Sequence, residues 1–184
     1  MLTIPADLHP DCVRLAFLLG SWVGVGVVGY PTIEERRFGQ EVTFSHSGKP
    51  ALEYSSRSWL LDDEGNRVSV SAQEQGYWRP LPDGEVEVLL AHPTGFAEVW
   101  VGRVDGARVE LVTDVVARTG TAKEVTAGHR LYGLVDGDLL WAYDMAAQGQ
   151  PLQSHLSARL KAVGQRTGQT QGPDLDCRDG KGPR

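Results

Sequence analysis

From Val23 to Val163 the chain alternates apolar and polar residues with a period of two, interrupted at short intervals by turn residues. That period marks β-strands with one face toward a core and one toward solvent. It covers Val23–Tyr30, Glu41–His46, Ala51–Leu61, Arg67–Tyr77, Glu85–Ala91, Phe96–Val104, Arg108–Ala117, Val125–Val135, Leu139–Ala146 and Leu152–Val163. Asp83-Gly84, Asp105-Gly106 and Asp136-Gly137 separate neighbouring runs, and Asp-Gly is the strongest short hairpin signal because both residues tolerate positive φ. About ten strands joined by short turns predict an all-β fold, either an up-and-down antiparallel barrel or a β-sandwich, since periodicity does not show closure. One stretch departs from the pattern. Asp11–Leu19 carries Val13, Leu15, Ala16, Leu18 and Leu19, too apolar for a free surface helix. It predicts a short N-terminal helix lying on the β-domain as a lid or plug, with Asp11 capping its start and Gly20 ending it.

Composition narrows the class. The 184 residues suit an extension over 1–10, one domain over 11–163 and a tail over 164–184 that is too polar to bury a face and is expected to be disordered. A formal net charge of −6 without a basic cluster argues against nucleic acid as a partner. No apolar run has the length of a membrane span, and the first residues lack the basic and apolar regions of a secretory signal. Cys12 and Cys177, one near the helix and one in the tail, do not suggest a disulfide framework, so a cytoplasmic protein is expected.

Candidate chemistry is concentrated near the two ends of the β-rich region. In the last strand Leu152, Leu156, Ala158, Leu160 and Ala162 share one parity, while Gln153, His155, Ser157, Arg159 and Lys161 share the other. By periodicity alone His155 is a solvated histidine on a polar face. Near the other end, Gly20-Ser21-Trp22-Val23-Gly24-Val25-Gly26 forms a G-x-W-x-G-x-G pattern. Its first reading is structural: the aromatic ring closes one end and the glycines let the first strand bend. Its second is that Gly24 and Gly26 leave room for a flat ligand.

With Tyr30-Pro31-Thr32-Ile33, Ala91-His92-Pro93-Thr94-Gly95, Thr121-Ala122-Lys123-Glu124-Val125-Thr126 and Gln150-Pro151-Leu152-Gln153-Ser154-His155-Leu156, in this order, the pattern resembles the nitrobindin family. These are small β-barrel proteins that bind haem b through a histidine, and the resemblance runs from about Leu15 to Val163. It implies a barrel of calycin or fatty-acid-binding-protein type and one haem b per chain. His155 would be the axial iron ligand, with Thr32 and Lys123 as further haem contacts. A lysine at a rim suits a propionate through a charge-assisted hydrogen bond. The implied activity is that of a peroxynitrite isomerase, in which ferric haem turns peroxynitrite into nitrate, with nitric oxide binding at the same open position. The strand parity conflicts with this picture. If the leucine face points into the barrel, His155 points out, unless the helix covers the leucine face from outside.

Other signals are weaker. His46, His92 and His129 show no metal-site spacing, no Cys-x-x-Cys occurs, and His92 reads as a turn or packing residue. Arg36-Arg37 after Glu34-Glu35 reads as an exposed charge cluster. No acid–base constellation, P-loop, Gly-x-Ser-x-Gly or Rossmann fingerprint is evident. The rival from another class is a non-enzymatic calycin-type carrier of a fatty acid or other hydrophobic ligand, with an inward Arg159 to hold a carboxylate. Removing Gly164–Arg184 is expected to leave the thermal midpoint unchanged in a melting experiment, and a clear drop would show that the tail docks.

Overall fold

A computed structural model describes residues 4–164. Ten strands follow one another: β1 (Gly20–Tyr30), β2 (Ile33–His46), β3 (Leu52–Leu61), β4 (Arg67–Pro80), β5 (Glu85–His92), β6 (Phe96–Asp105), β7 (Arg108–Arg118), β8 (Val125–Val135), β9 (Asp138–Ala147) and β10 (Gln153–Val163). Each pairs antiparallel with its sequence neighbours, and β1 also pairs with β10, from Ser21↔Val163 to Val28↔Leu156. The sheet is therefore a closed barrel without free edges, and the sandwich alternative falls. The Asp136-Gly137 turn has φ of 54° and 85°, the paired positive values that tie a two-residue hairpin.

The expected helix forms over Pro10–Leu18, but as a 3₁₀ helix rather than an α-helix. Its cap is His9, whose Nδ1 accepts from the Asp11 backbone N–H at 3.3 Å, so Asp11 is the capped residue and not the cap. Cys12, Leu15, Ala16, Phe17 and Leu18 are buried and join the main core with Leu52, Trp78 and Leu160. The segment is thus a plug, set where β1 begins and in contact with β4.

Trp22 locks the plug to the barrel. Its ring is buried and its indole N–H donates to the Leu18 carbonyl at 2.7 Å. The neighbouring glycines are steric requirements. A Cβ on Gly24 would run into the Arg159 carbonyl, and one on Gly26 into the Ser157 carbonyl and the Phe38 ring. The space beside both glycines is filled by β10 and Phe38, so here the close-approach reading of the motif prevails over the ligand reading.

The opposite end is looser. The β4–β5 ladder runs only from Gln75↔Ala91 to Pro80↔Val86, and the β7–β8 ladder only from Arg108↔Gly133 to Val112↔His129. Toward that end the wall opens between these strands, and the β1–β2, β7–β8 and β9–β10 connections all lie there. Trp22→Ala removes the ring that holds plug to barrel and leaves a cavity, a loss of about 3–5 kcal/mol. Urea unfolding should record that loss, and a variant with wild-type stability would show that the plug is held by its other contacts.

Candidate functional site

β10 contains one residue too many for regular pairing. Ser154 pairs with Asp144 and Leu156 with Tyr143, so His155 is the extra residue of a β-bulge. A bulge interrupts the alternation and re-aims side chains. After it, Leu156, Ala158 and Leu160 face inward; before it, the inward parity belongs to Gln153, opposite Met145. His155 and Leu156 therefore both turn inside, and Ser157 and Arg159 turn outward and are exposed. The bulge removes the conflict between the leucine face and the histidine. The helix plays no part in it, because it plugs the far end.

The His155 ring is half-buried and lies edge-on to two buried tyrosines, Tyr30 at 5.5 Å and Tyr143 at 5.7 Å between centroids. Nδ1–H donates to the Gly29 carbonyl at 3.0 Å. A carbonyl can only accept, so this bond fixes the tautomer and leaves the Nε2 lone pair free. Burial pushes the imidazole pKa down, the Gly29 carbonyl pulls it up, and the Arg130 charge pushes it down again; the net direction is downward. The ring is thereby held in the neutral form that ligates metals. Tyr30 secures the surroundings by reaching across β10 to β9. Its hydroxyl accepts from Ala147 N–H at 2.9 Å and lies 3.1 Å from the Met145 carbonyl.

His155 stands between two spaces. Inward is a cavity of about 80 Å³ lined by Phe38, Gln40, Ser56, Ser58, Glu74 and Trp141 among others. Outward is a groove of about 370 Å³ along the β1–β2 turn, bordered by Gly29, Tyr30, Pro31 and Ile33. Thr32 lies in that turn and is exposed. Lys123 is exposed in the β7–β8 loop, at the same end of the barrel and two strands beyond β10. The Gln148 N–H donates to the Glu124 carbonyl at 3.1 Å and ties this loop to the β9–β10 connection. The three residues thus share one rim, although no hydrogen bond joins them among the described residues.

A donor set of this kind suits haem. A neutral imidazole with its second nitrogen fixed by a backbone carbonyl is the usual outer-shell arrangement of a histidine ligand. The inner cavity holds a few waters, at about 30 Å³ each, or a small anion, and not a macrocycle. A porphyrin on His155 would therefore need the open rim for its bulk.

Deeper in the barrel lies a charged cluster that is not among the expected site residues. Arg130, fully buried, makes a two-pronged ion pair with Glu74 at 2.8 and 2.9 Å and approaches Glu98 at 3.5 Å. Tyr54 donates to Glu74 at 3.0 Å; His92 Nε2–H and Trp100 Nε1–H donate to Glu98 at 2.9 and 3.2 Å. Burial would raise the Glu74 pKa, but the Arg130 charge and hydrogen bonds override it and hold the carboxyl at about 2. His92 stacks on Phe96 at 4.0 Å and belongs to this cluster, so it packs as expected but also carries a polar contact. His129 sits on the outer face between Glu110 and Asp144, and His46 faces Asp7. Arg159 is exposed and paired with Asp138, which removes the expected carboxylate anchor of a fatty-acid carrier.

A closed antiparallel barrel, plugged at one end and offering a fixed neutral histidine at the other, defines a small cofactor-binding β-barrel. A family model for the THAP4-like, heme-binding beta-barrel domain matches residues 11–162. The chain belongs to that family. It is 57% identical over 157 residues to a peroxynitrite isomerase of Nocardioides sp., covering 85% of this chain and 96% of that one. It is 49% identical to a ferric nitrobindin-like protein of Kineococcus radiotolerans, covering 88% and 98%. The crystal structure of Rv2717c from M. tuberculosis superposes with a TM-score of 0.77 at 41% identity, covering 85% of this chain and 99% of that one.

Replacing Arg130 with methionine would leave Glu74 and Glu98 buried without a cation, at a cost of about 3–5 kcal/mol in urea unfolding at neutral pH. The pH dependence should also change. In the wild type Glu74 has a folded pKa of about 2 against 4.5 unfolded, so its contribution is complete above 4.5 and is lost as pH falls toward 2. In Arg130→Met that acid loss through Glu74 should disappear, and an unchanged acid-unfolding curve would show that the pair contributes nothing.

Proposed function

We propose that the chain holds haem b on His155, one per chain, and that the ferric cofactor isomerises peroxynitrite to nitrate. Reversible nitric oxide binding at the same open position belongs to this reading. The observation that carries it is the bond from Nδ1 to the Gly29 carbonyl, which leaves Nε2 free beside a small cavity. Membership of a haem-binding family and the name of the Nocardioides relative support it.

Each part of the chain has a defined task in this reading. When bound, ferric haem supplies an open coordination position at which the O–O bond of peroxynitrite is rearranged. His155 provides the protein ligand, and Gly29 keeps its ring in the ligating tautomer. Tyr30 and Tyr143 flank the ring and limit its rotation. Thr32 and Lys123 at the rim supply hydrogen bonds to the propionates. The close walls of the small cavity, Phe38 and Trp141 among them, exclude bulk water and keep reacting fragments together until they recombine. Because isomerisation needs no net proton transfer, no side chain has to act as general base.

The same reading places the protein in the cytoplasm, without nucleic acid or membrane as a partner. Among the described residues no helix is long and apolar enough to cross a membrane, and the buried Cys12 has no disulfide partner.

The test compares His155→Ala, His92→Ala and His129→Ala after identical reconstitution with haemin. His155→Ala should lose the wild-type Soret band and most affinity while its circular dichroism stays that of a folded β-protein. Lys123→Ala should weaken binding less, because an exposed charge pair contributes about 1 kcal/mol or less. A wild-type spectrum in His155→Ala, with loss in one of the others, would move the ligand to that histidine.

A further inference from the structure

From His155 a line of aromatic rings runs into the buried charge cluster. Tyr143 lies edge-on to His155 at 5.7 Å, and Trp100 lies edge-on to Tyr143 at 5.9 Å. Trp100 is fully buried. Among the chain's five tryptophans it is the one, within the described residues, whose indole N–H meets a carboxylate, Glu98 Oε2 at 3.2 Å. Trp22 donates to a backbone carbonyl and Trp141 to the side-chain oxygen of Gln40, while Trp78 Nε1 has no partner. The same Glu98 oxygen accepts from His92, which lines a polar cleft of about 540 Å³ with Thr43, Ser55, Arg57 and Gln73 where the β4–β5 ladder has ended. Glu98 Oε1 is buried and unpartnered, which leaves the carboxylate with acceptor capacity to spare.

We propose that Trp100 is an internal one-electron donor to the cofactor on His155, with Glu98 as the acceptor of its indole proton. The proposal rests on haem binding at His155. Peroxynitrite whose nitrogen dioxide escapes leaves the cofactor one oxidising equivalent above ferric, as does hydrogen peroxide once it has lost water and one of its two equivalents has been spent. One electron then passes from the Trp100 ring through Tyr143 to the cofactor, which takes one proton from solvent and returns to ferric. The Nε1–H bond of Trp100 breaks, its proton goes to Glu98, and a neutral indolyl radical remains.

Two features favour proton loss over a persisting radical cation. The Arg130 guanidinium sits 4.8 Å over the Trp100 ring and opposes a second positive charge there. The carboxylate is already hydrogen-bonded to the proton that must leave. The transferred proton rests on Glu98, whose carboxylate is hydrogen-bonded to His92 at the edge of the cleft. The function added is protection: an equivalent that misses recombination is drawn to a chosen buried ring instead of attacking the walls of the cavity.

The experiment uses the haemin-reconstituted full chain, mixed with hydrogen peroxide or peroxynitrite, frozen rapidly and read by electron paramagnetic resonance. The expected organic radical changes its hyperfine pattern when the protein carries ring-deuterated tryptophan. It is lost in Trp100→Phe, reduced in Glu98→Gln and kept in Trp141→Phe. A signal indifferent to deuterated tryptophan, or one that survives Trp100→Phe, overturns the proposal. Should Trp100→Phe not fold, Glu98→Gln with labelled tryptophan decides, and an unchanged radical yield overturns it. Failure to form a Soret band would instead strike down the haem reading, and this proposal with it. A normal Soret band and peroxynitrite decay with no Trp100 radical would strike down this proposal alone.

Discussion

Closure of the sheet is the constraint on which the rest depends. Once β1 pairs with both β2 and β10, no strand edge remains, and every inward side chain must fit inside a ring of ten strands. Bringing β1 that close to β10 requires Gly24 and Gly26, since a Cβ at either would strike the facing backbone. The enclosed volume is narrow, so large rings and the Arg130 cluster fill most of it and leave only a small cavity beside His155. Closure alone leaves two open ends. One is sealed by the 3₁₀ segment pinned through Trp22, and the other is where the ladders stop early.

Much of this could be read from the chain. Alternation placed all ten strands, with ends that shifted by a few residues except at β2, which begins at Ile33 rather than near Glu41. The run Glu34-Glu35-Arg36-Arg37 hid that start, because four charged residues in succession carry no period of two. The plug was recognisable from its excess of apolar residues, although not its 3₁₀ geometry. The parity of His155 was misleading for a definite reason: one extra residue in β10 reverses the facing of everything before it, and a bulge of this kind leaves no mark in composition.

The buried cluster was missed for the opposite reason, since its signal was present. Glu98 shares parity with Trp100, Arg130 with Tyr132, and Glu74 with Gly76 and Trp78. A charged residue on the same face as a large aromatic two or four places away marks a charge turned toward a core. Three such charges of mixed sign, on β4, β6 and β8, let one buried cation offset part of the charge of two buried carboxylates. Their meeting could not be foreseen, because Arg130 lies 32 and 56 positions along the chain from its two partners.

The register that closes the barrel also decides what can be joined to it. Ser21 lies opposite Val163, so the first and last strands leave side by side at the plugged end, a barrel's length from the rim that carries Thr32, Lys123 and His155. The chain enters the sheet at Gly20 and leaves it at Val163, on the side facing away from the open rim. The barrel is in that sense a module: it can be carried as the head or the tail of a larger protein, or permuted by linking its ends, with its mouth left open.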